Sequence, residues 1–144
     1  MKSLLGIVFS LLLCGVGHAE MMSVDVHSAA LRSSPSSTAS YVLLELPRYY
    51  PLAVLESTDE FYRVADFRDR TGWISKSELE KVPGVVVAGR IVNLRKESGT
   101  DSEIVFKAEK GVTFKVLEEK GDWLKVFHES GKIGWIYKKL VWGM

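Results

Sequence analysis

One segment is written twice in this chain, and that repetition restricts its fold more than any other feature. Ala29-Ala30-Leu31-Arg32 returns as Val92-Asn93-Leu94-Arg95, and Val54-Leu55-Glu56 returns as Val116-Leu117-Glu118. Phe61-Tyr62-Arg63-Val64 returns as Trp123-Leu124-Lys125-Val126, and Gly72-Trp73-Ile74 as Gly134-Trp135-Ile136. Leu79 aligns with Leu140. The offset is 63 at Leu31/Leu94, 62 through the middle and 61 at Leu79/Leu140, as a duplication with loop changes would leave it. A period near 62 is too long for a solenoid repeat, so each copy is a small domain.

Each copy reads as β. Val112, Phe114 and Val116 alternate with Thr113, Lys115 and Leu117, and Leu124 and Val126 alternate with Trp123 and Lys125. Lys120-Gly121-Asp122 and Glu129-Ser130-Gly131-Lys132 are turn clusters that divide these runs into hairpins. Thr58-Asp59-Glu60 and Asp69-Arg70-Thr71-Gly72 do the same in the first copy. No long segment has a helical period, which points to small barrels or sandwiches. Arg32–Leu46 and Arg95–Lys110 read as long polar connections, the places where such folds carry function.

The start of the chain reads differently. Met1-Lys2-Ser3, an apolar run from Leu4 to Cys14 and the ending Gly17-His18-Ala19 make a secretory signal peptide, residues 1–19, cleaved after Ala19. The run is about half of the ~20 residues a membrane span needs. Leu13 before Cys14 is too large for lipoprotein processing, so the single cysteine leaves with the leader. The expected mature chain has no disulfide and no integral membrane segment. It is exported across the inner membrane to the periplasm or the exterior. Barrel one is expected at residues 20–81, a linker at 82–84 and barrel two at 85–144. Six extended steps from Leu79 to Val85 span at most ~20–22 Å, so the barrels must nearly touch.

Charge excludes some partners. With a net +1 over 144 residues, nothing favours nucleic acid. Residues 20–83 hold seven basic and ten acidic side chains, a balance of −3, while residues 84–144 hold eleven and eight, +3. Complementary domain faces and ordinary surface drift both account for that split. Catalysis is not expected. The histidines after the leader, His27 and His128, stand at non-equivalent places, and no Gly-x-Ser-x-Gly, His-Glu-x-x-His or calcium loop is present. Asp66 and Asp69, beside Arg68 and Arg70, read as a solvated charged turn. No metal and no cofactor are expected.

The order Leu-Arg, polar loop, Val-Leu-Glu, Trp-Leu-Lys-Val, Gly-Trp-Ile and final Leu resembles the bacterial Src-homology-3-like (SH3b) domain. The second copy carries it at Asn93-Leu94-Arg95, Lys110-Gly111, Gly121-Asp122-Trp123-Leu124-Lys125-Val126 and Gly134-Trp135-Ile136. The first keeps Leu31-Arg32-Ser33-Ser34-Pro35 and Gly72-Trp73-Ile74-Ser75. The resemblance implies an all-β chain of two tandem small SH3-like barrels. It also implies an exported binding protein, often for cell-wall peptidoglycan or peptides, with no chemistry of its own. The chain departs from the pattern at Lys96-Glu97-Ser98-Gly99 and at Pro47-Arg48-Tyr49-Tyr50-Pro51. In eukaryotic relatives a Trp after the turn and a Pro after the Gly-aromatic-apolar strand line the peptide groove. Trp123 matches the first and Phe61 replaces it in copy one, while Tyr137 and Ser75 stand at the Pro position.

The candidate ligand residues are Trp123, Tyr137, Lys96, Asp101, Tyr49 and Tyr50. Trp123 is out of phase with Leu124 and Val126, so it faces outward as a ligand contact or packs under the long loop or against the other barrel. Tyr49 and Tyr50, between two prolines, form a rigid aromatic loop that contacts a ligand or covers the barrel. Trp73 and Trp135 read as packing residues. Trp142, beyond the last barrel residue, docks on the other domain or on a partner. Two functions follow: a module for an envelope ligand such as peptidoglycan peptide, and an adaptor that docks a protein through the barrel surfaces and the tail.

Overall fold

A computed structural model describes residues 19–144; the expected leader lies outside them except for Ala19. Among the described residues, fourteen strands form two antiparallel sheets of seven. The first contains β1 (Met21–Val24), β2 (Ser28–Arg32), β3 (Val42–Pro47), β4 (Pro51–Ser57), β5 (Phe61–Ala65), β6 (Thr71–Ser75) and β7 (Leu79–Glu80). The second contains β8 (Gly84–Val87), β9 (Ile91–Arg95), β10 (Ile104–Glu109), β11 (Thr113–Lys120), β12 (Trp123–Phe127), β13 (Ile133–Tyr137) and β14 (Val141–Gly143). The strand orders match: β3-β2-β6-β5-β4-β1-β7 and β10-β9-β13-β12-β11-β8-β14. The duplication read in the sequence is therefore a duplication of topology.

Period-two patterning closes each sheet around its own core. Ala29 and Leu31 on β2, Val92 and Leu94 on β9, and Leu124 and Val126 on β12 are buried, and their neighbours face outward. Register slips at Val54/Glu56 and Val116/Glu118 place a bulge at the same point of each copy and bend β4 and β11.

Three sequence expectations are corrected. The long connections are shorter than expected, because about a third of each is strand: β3 and β10 reach back over the core through Leu46 and Ala108. Leu79 pairs in topology with Val141, not Leu140. Leu140 ends a 3-10 turn, Lys138–Leu140, and an apolar residue there looks like a strand residue when position alone is read. Gly84 is not linker but the first residue of β8.

The four residues of β8 are all buried, and the reason joins the barrels. Val85 and Val87 belong to the second core, while Val86 on the opposite face enters the first core beside half-buried Trp142. A strand covered on both sides reads as a continuous apolar run, Gly-Val-Val-Val. Polar contacts surround this seam. Ser23 Oγ, fully buried, donates to the Val82 carbonyl at 2.8 Å, and Thr113 Oγ1 to the Arg48 carbonyl at 2.7 Å. Glu129 accepts from Arg48 Nε at 3.2 Å and lies 3.0 Å from His27 Nδ1. His27 holds Glu129 below the usual carboxylate range, with Arg48 adding to the effect.

At Gly84 the backbone of the second barrel lies close against that of the first. A Cβ there would stand 2.3 Å from the Tyr49 carbonyl oxygen and 3.0 Å from Ser23 Cβ. Backbone cannot yield as a side-chain tip can, so Gly84→Ala should cost about 2 kcal/mol by overpacking. A lowered urea midpoint checks this; a midpoint equal to wild type would mean that the barrels part without cost.

Candidate functional site

An aromatic cleft that contains two of the expected site residues lies on the second barrel. β11 and β12 are joined by Gly121-Asp122, with Lys120 opposite Trp123. Gly121 takes φ +57°, the left-handed value that primed hairpin turns require. This tight turn puts Trp123 at the head of β12, directly across from Tyr137 at the end of β13. Leu124 and Val126 are buried, so Trp123 is turned to the other face, half-buried. Its ring lies 5.6 Å from that of Tyr137 at 50°.

The opposite wall comes from β9 and the loop after it. Lys96 N–H donates to the Glu103 carbonyl and Glu97 N–H to Ser102 Oγ, closing the loop at its base. Arg95 donates from its guanidinium to the Ser102 carbonyl at 2.8 Å, and Gly99 turns the tip at φ +114°. Between loop and hairpin is a cavity of about 470 Å³, lined by Trp123, Tyr137, Asn93, Arg95, Gly99 and Thr100 with Ile91, Val92 and Leu140. Lys138 beside Tyr137 is paired with Glu119. The site offers two aromatic faces, a guanidinium and amide donors, a set suited to holding a peptide or sugar.

Trp123 and Tyr137 are thus brought together. Lys96 and Asp101 sit on the neighbouring loop, exposed and outside the cavity lining. Asn93 and Arg95 were missed. Their alternation with buried Val92 and Leu94 placed them on the outward face, and that was the available signal.

Tyr49 and Tyr50 do not form a ligand loop. Tyr49 adopts φ +69°, half-buried, with its ring edge-on to Phe127 of the other barrel at 6.3 Å. Tyr50 is only 4% exposed and donates its hydroxyl to Asp66 Oδ2 at 2.9 Å. The solvated turn is corrected for the same reason. Asp66 is 2% exposed, and its carboxylate accepts the Arg68 and Arg70 N–H groups, Arg70 Nε and Tyr50 Oη. Burial alone would raise the Asp66 pKa; the Arg70 backbone and guanidinium, then Tyr50 and Arg68, outweigh it and hold it low. Burial first, and then the bond to Asp66, push Tyr50 up to about 12. Trp142 is spent on the first barrel's core rather than offered to a partner. In copy one Phe61 is buried opposite Ser75, so the aromatic pair is not repeated there. The nearby hollow is acidic, lined by Asp59 and Glu60.

Two seven-stranded antiparallel sheets, each closed on its own core, define a tandem of small β-barrels. The bacterial SH3 domain matches residues 25–81 and again 88–143, and the chain belongs to that family. None of the curated proteins compared with it matches. Among solved structures it is similar to NlpC2 from Trichomonas vaginalis at 14% identity and TM-score 0.38, covering 85% of this chain and 47% of that one. It is similar also to an NlpC/P60 family protein from Bacillus cereus at 13% identity and TM-score 0.40, covering 86% and 56%. The chain spans about half the length of these structures. Among the described residues, no helix is long and apolar enough to cross a membrane.

Proposed function

We propose that this is an exported, non-enzymatic binding module that takes a cell-envelope ligand, such as a peptidoglycan peptide, in the Trp123–Tyr137 cleft. The observation that carries the reading is the pairing of two half-buried aromatic rings across a cavity from Asn93 and Arg95, on one barrel of a bacterial SH3 tandem. Trp123 is the anchor, Tyr137 the second face, and Arg95 the group that fixes a carbonyl or carboxylate. The adaptor alternative is weaker, because Trp142 packs within the chain.

Pelleting of the mature chain with purified peptidoglycan tests this. Wild type should sediment, and Trp123→Ala should weaken binding by at least about tenfold, as loss of a central aromatic anchor does. Equal sedimentation of both would remove Trp123 from the site. Failure of wild type to sediment would reject the ligand class.

A further inference from the structure

At one corner the two copies share a backbone but not a chemistry. Val24 N–H donates to the Tyr50 carbonyl, and Val87 N–H to the Val112 carbonyl. Asp66 N–H donates to the Arg70 carbonyl, and His128 N–H to the Lys132 carbonyl. Asp66 Oδ1 accepts the Arg68 N–H, and His128 Nδ1 accepts the Ser130 N–H at 3.1 Å. Tyr49 at φ +69° precedes Tyr50, and Gly111 at φ +93° precedes Val112. Val112, His128 and Lys132 therefore stand where Tyr50, Asp66 and Arg70 stand in the first copy. There the phenol, carboxylate and guanidinium close on one another, with Arg70 also reaching Tyr50 Oη at 3.3 Å.

The second copy has no tyrosine ring here, and a cleft of about 390 Å³ opens instead. Phe106, Ala108, Val112 and Phe114 line its apolar part, and His128 is a wall, edge-on to Phe114 at 5.6 Å. Lys132 Nζ lies 5.5 Å from the centre of the Phe106 ring. Lys107 and Lys132 are the cations of the lining and Glu109 its one carboxylate. Nδ1 of His128 is held by Ser130, 3.1 Å from its N–H and 2.7 Å from its Oγ, which leaves Nε2 as the ring nitrogen available to a ligand. Copy one supplies a phenol and a carboxylate at Tyr50 and Asp66; copy two has Val112 and His128 at those two places, with Lys107 and Lys132 in the lining.

We propose that this second cleft binds a small aromatic carboxylate, its ring in the place of the Tyr50 phenol and its anion toward His128 and Lys132, as the place of Asp66 would have it. The site is separate from the Trp123–Tyr137 cleft and does not depend on the function proposed for that one.

NMR titration of the mature chain with phenylacetate tests this, with benzyl alcohol and acetate as probes of ring and charge alone. Phenylacetate should shift the His128 ring and Val112 methyl signals saturably, with benzyl alcohol and acetate each at least about tenfold weaker. Val112→Tyr, the residue that copy one uses, should abolish the response at His128 and leave the Trp123 indole signal in place. Should Val112→Tyr lose its dispersed spectrum, Lys132→Glu at the exposed rim takes its role and should weaken phenylacetate by at least about tenfold. No saturable shift at His128 overturns the proposal. So does an undiminished response in a folded Val112→Tyr or Lys132→Glu chain.

Discussion

Asp66→Ala is expected to destabilise the first barrel by about 2–4 kcal/mol, the scale on which leaving buried hydrogen-bond donors without a partner is felt. Four hydrogen bonds end on that carboxylate, and two of them come from backbone N–H groups that would lose their partner inside the barrel. Urea unfolding at pH 7 should show the midpoint fall, and an unchanged midpoint would contradict the account of this cluster. The same groups set the pH limits. Asp66 titrates lower folded than unfolded, so its contribution is complete above the ordinary aspartate range of about 4. It is lost as pH falls through the depressed folded value. Tyr50 is shifted the other way, to about 12. Its contribution, about 2–3 kcal/mol, is complete below pH ~10 and is lost as pH rises toward the folded value. Tyr50→Phe should remove that alkaline loss.

Trp142→Ala should have the next largest effect, about 2–3 kcal/mol for a half-buried ring, and should also change the form of unfolding. Trp142 pairs with Val86 across β14 and β8, and both side chains enter the first barrel's core. That shared apolar cluster should make wild type unfold in one transition. Without the indole the barrels should separate into two transitions, resolved by amide exchange of β5 against β12. A single transition in both proteins would show that the polar contacts at the seam suffice to couple them.

Much of this architecture was legible. The alternation of Leu124 and Val126 with Trp123 and Lys125 is local and has one period, so it marked the strand and its buried face, while the order of strands in each sheet came from the structure. Short elements were less so: Leu140 in its 3-10 turn carries no periodicity to distinguish it from strand. The fate of Asp66 could not be read from Arg68 and Arg70 beside it. Its burial is decided by Tyr50, sixteen residues away, whose inward turn depends on left-handed Tyr49. At the candidate cleft, Trp123 could be assigned to an outward face from the strand pattern. Its contact with Tyr137 needed the β12–β13 register, and the exclusion of Lys96 and Asp101 from the lining needed the closure of their loop.

Neighbouring copies of one fold run a known hazard, since a strand of one can be built into the other during folding. The divergence between Tyr50–Asp66–Arg70 and Val112–His128–Lys132 means that the two copies offer each other's strands different partners. A hybrid barrel combining β4 and its preceding turn from one copy with the β5–β6 hairpin of the other would set Asp66 beside Val112, or Tyr50 beside His128. The first leaves a buried anion short of its hydroxyl donor, and the second puts a phenol against an imidazole with no carboxylate to receive it. The Tyr50–Asp66 hydrogen bond thus marks the correct pairing in the first copy: only its own β4 and β5 bring that carboxylate a hydroxyl donor.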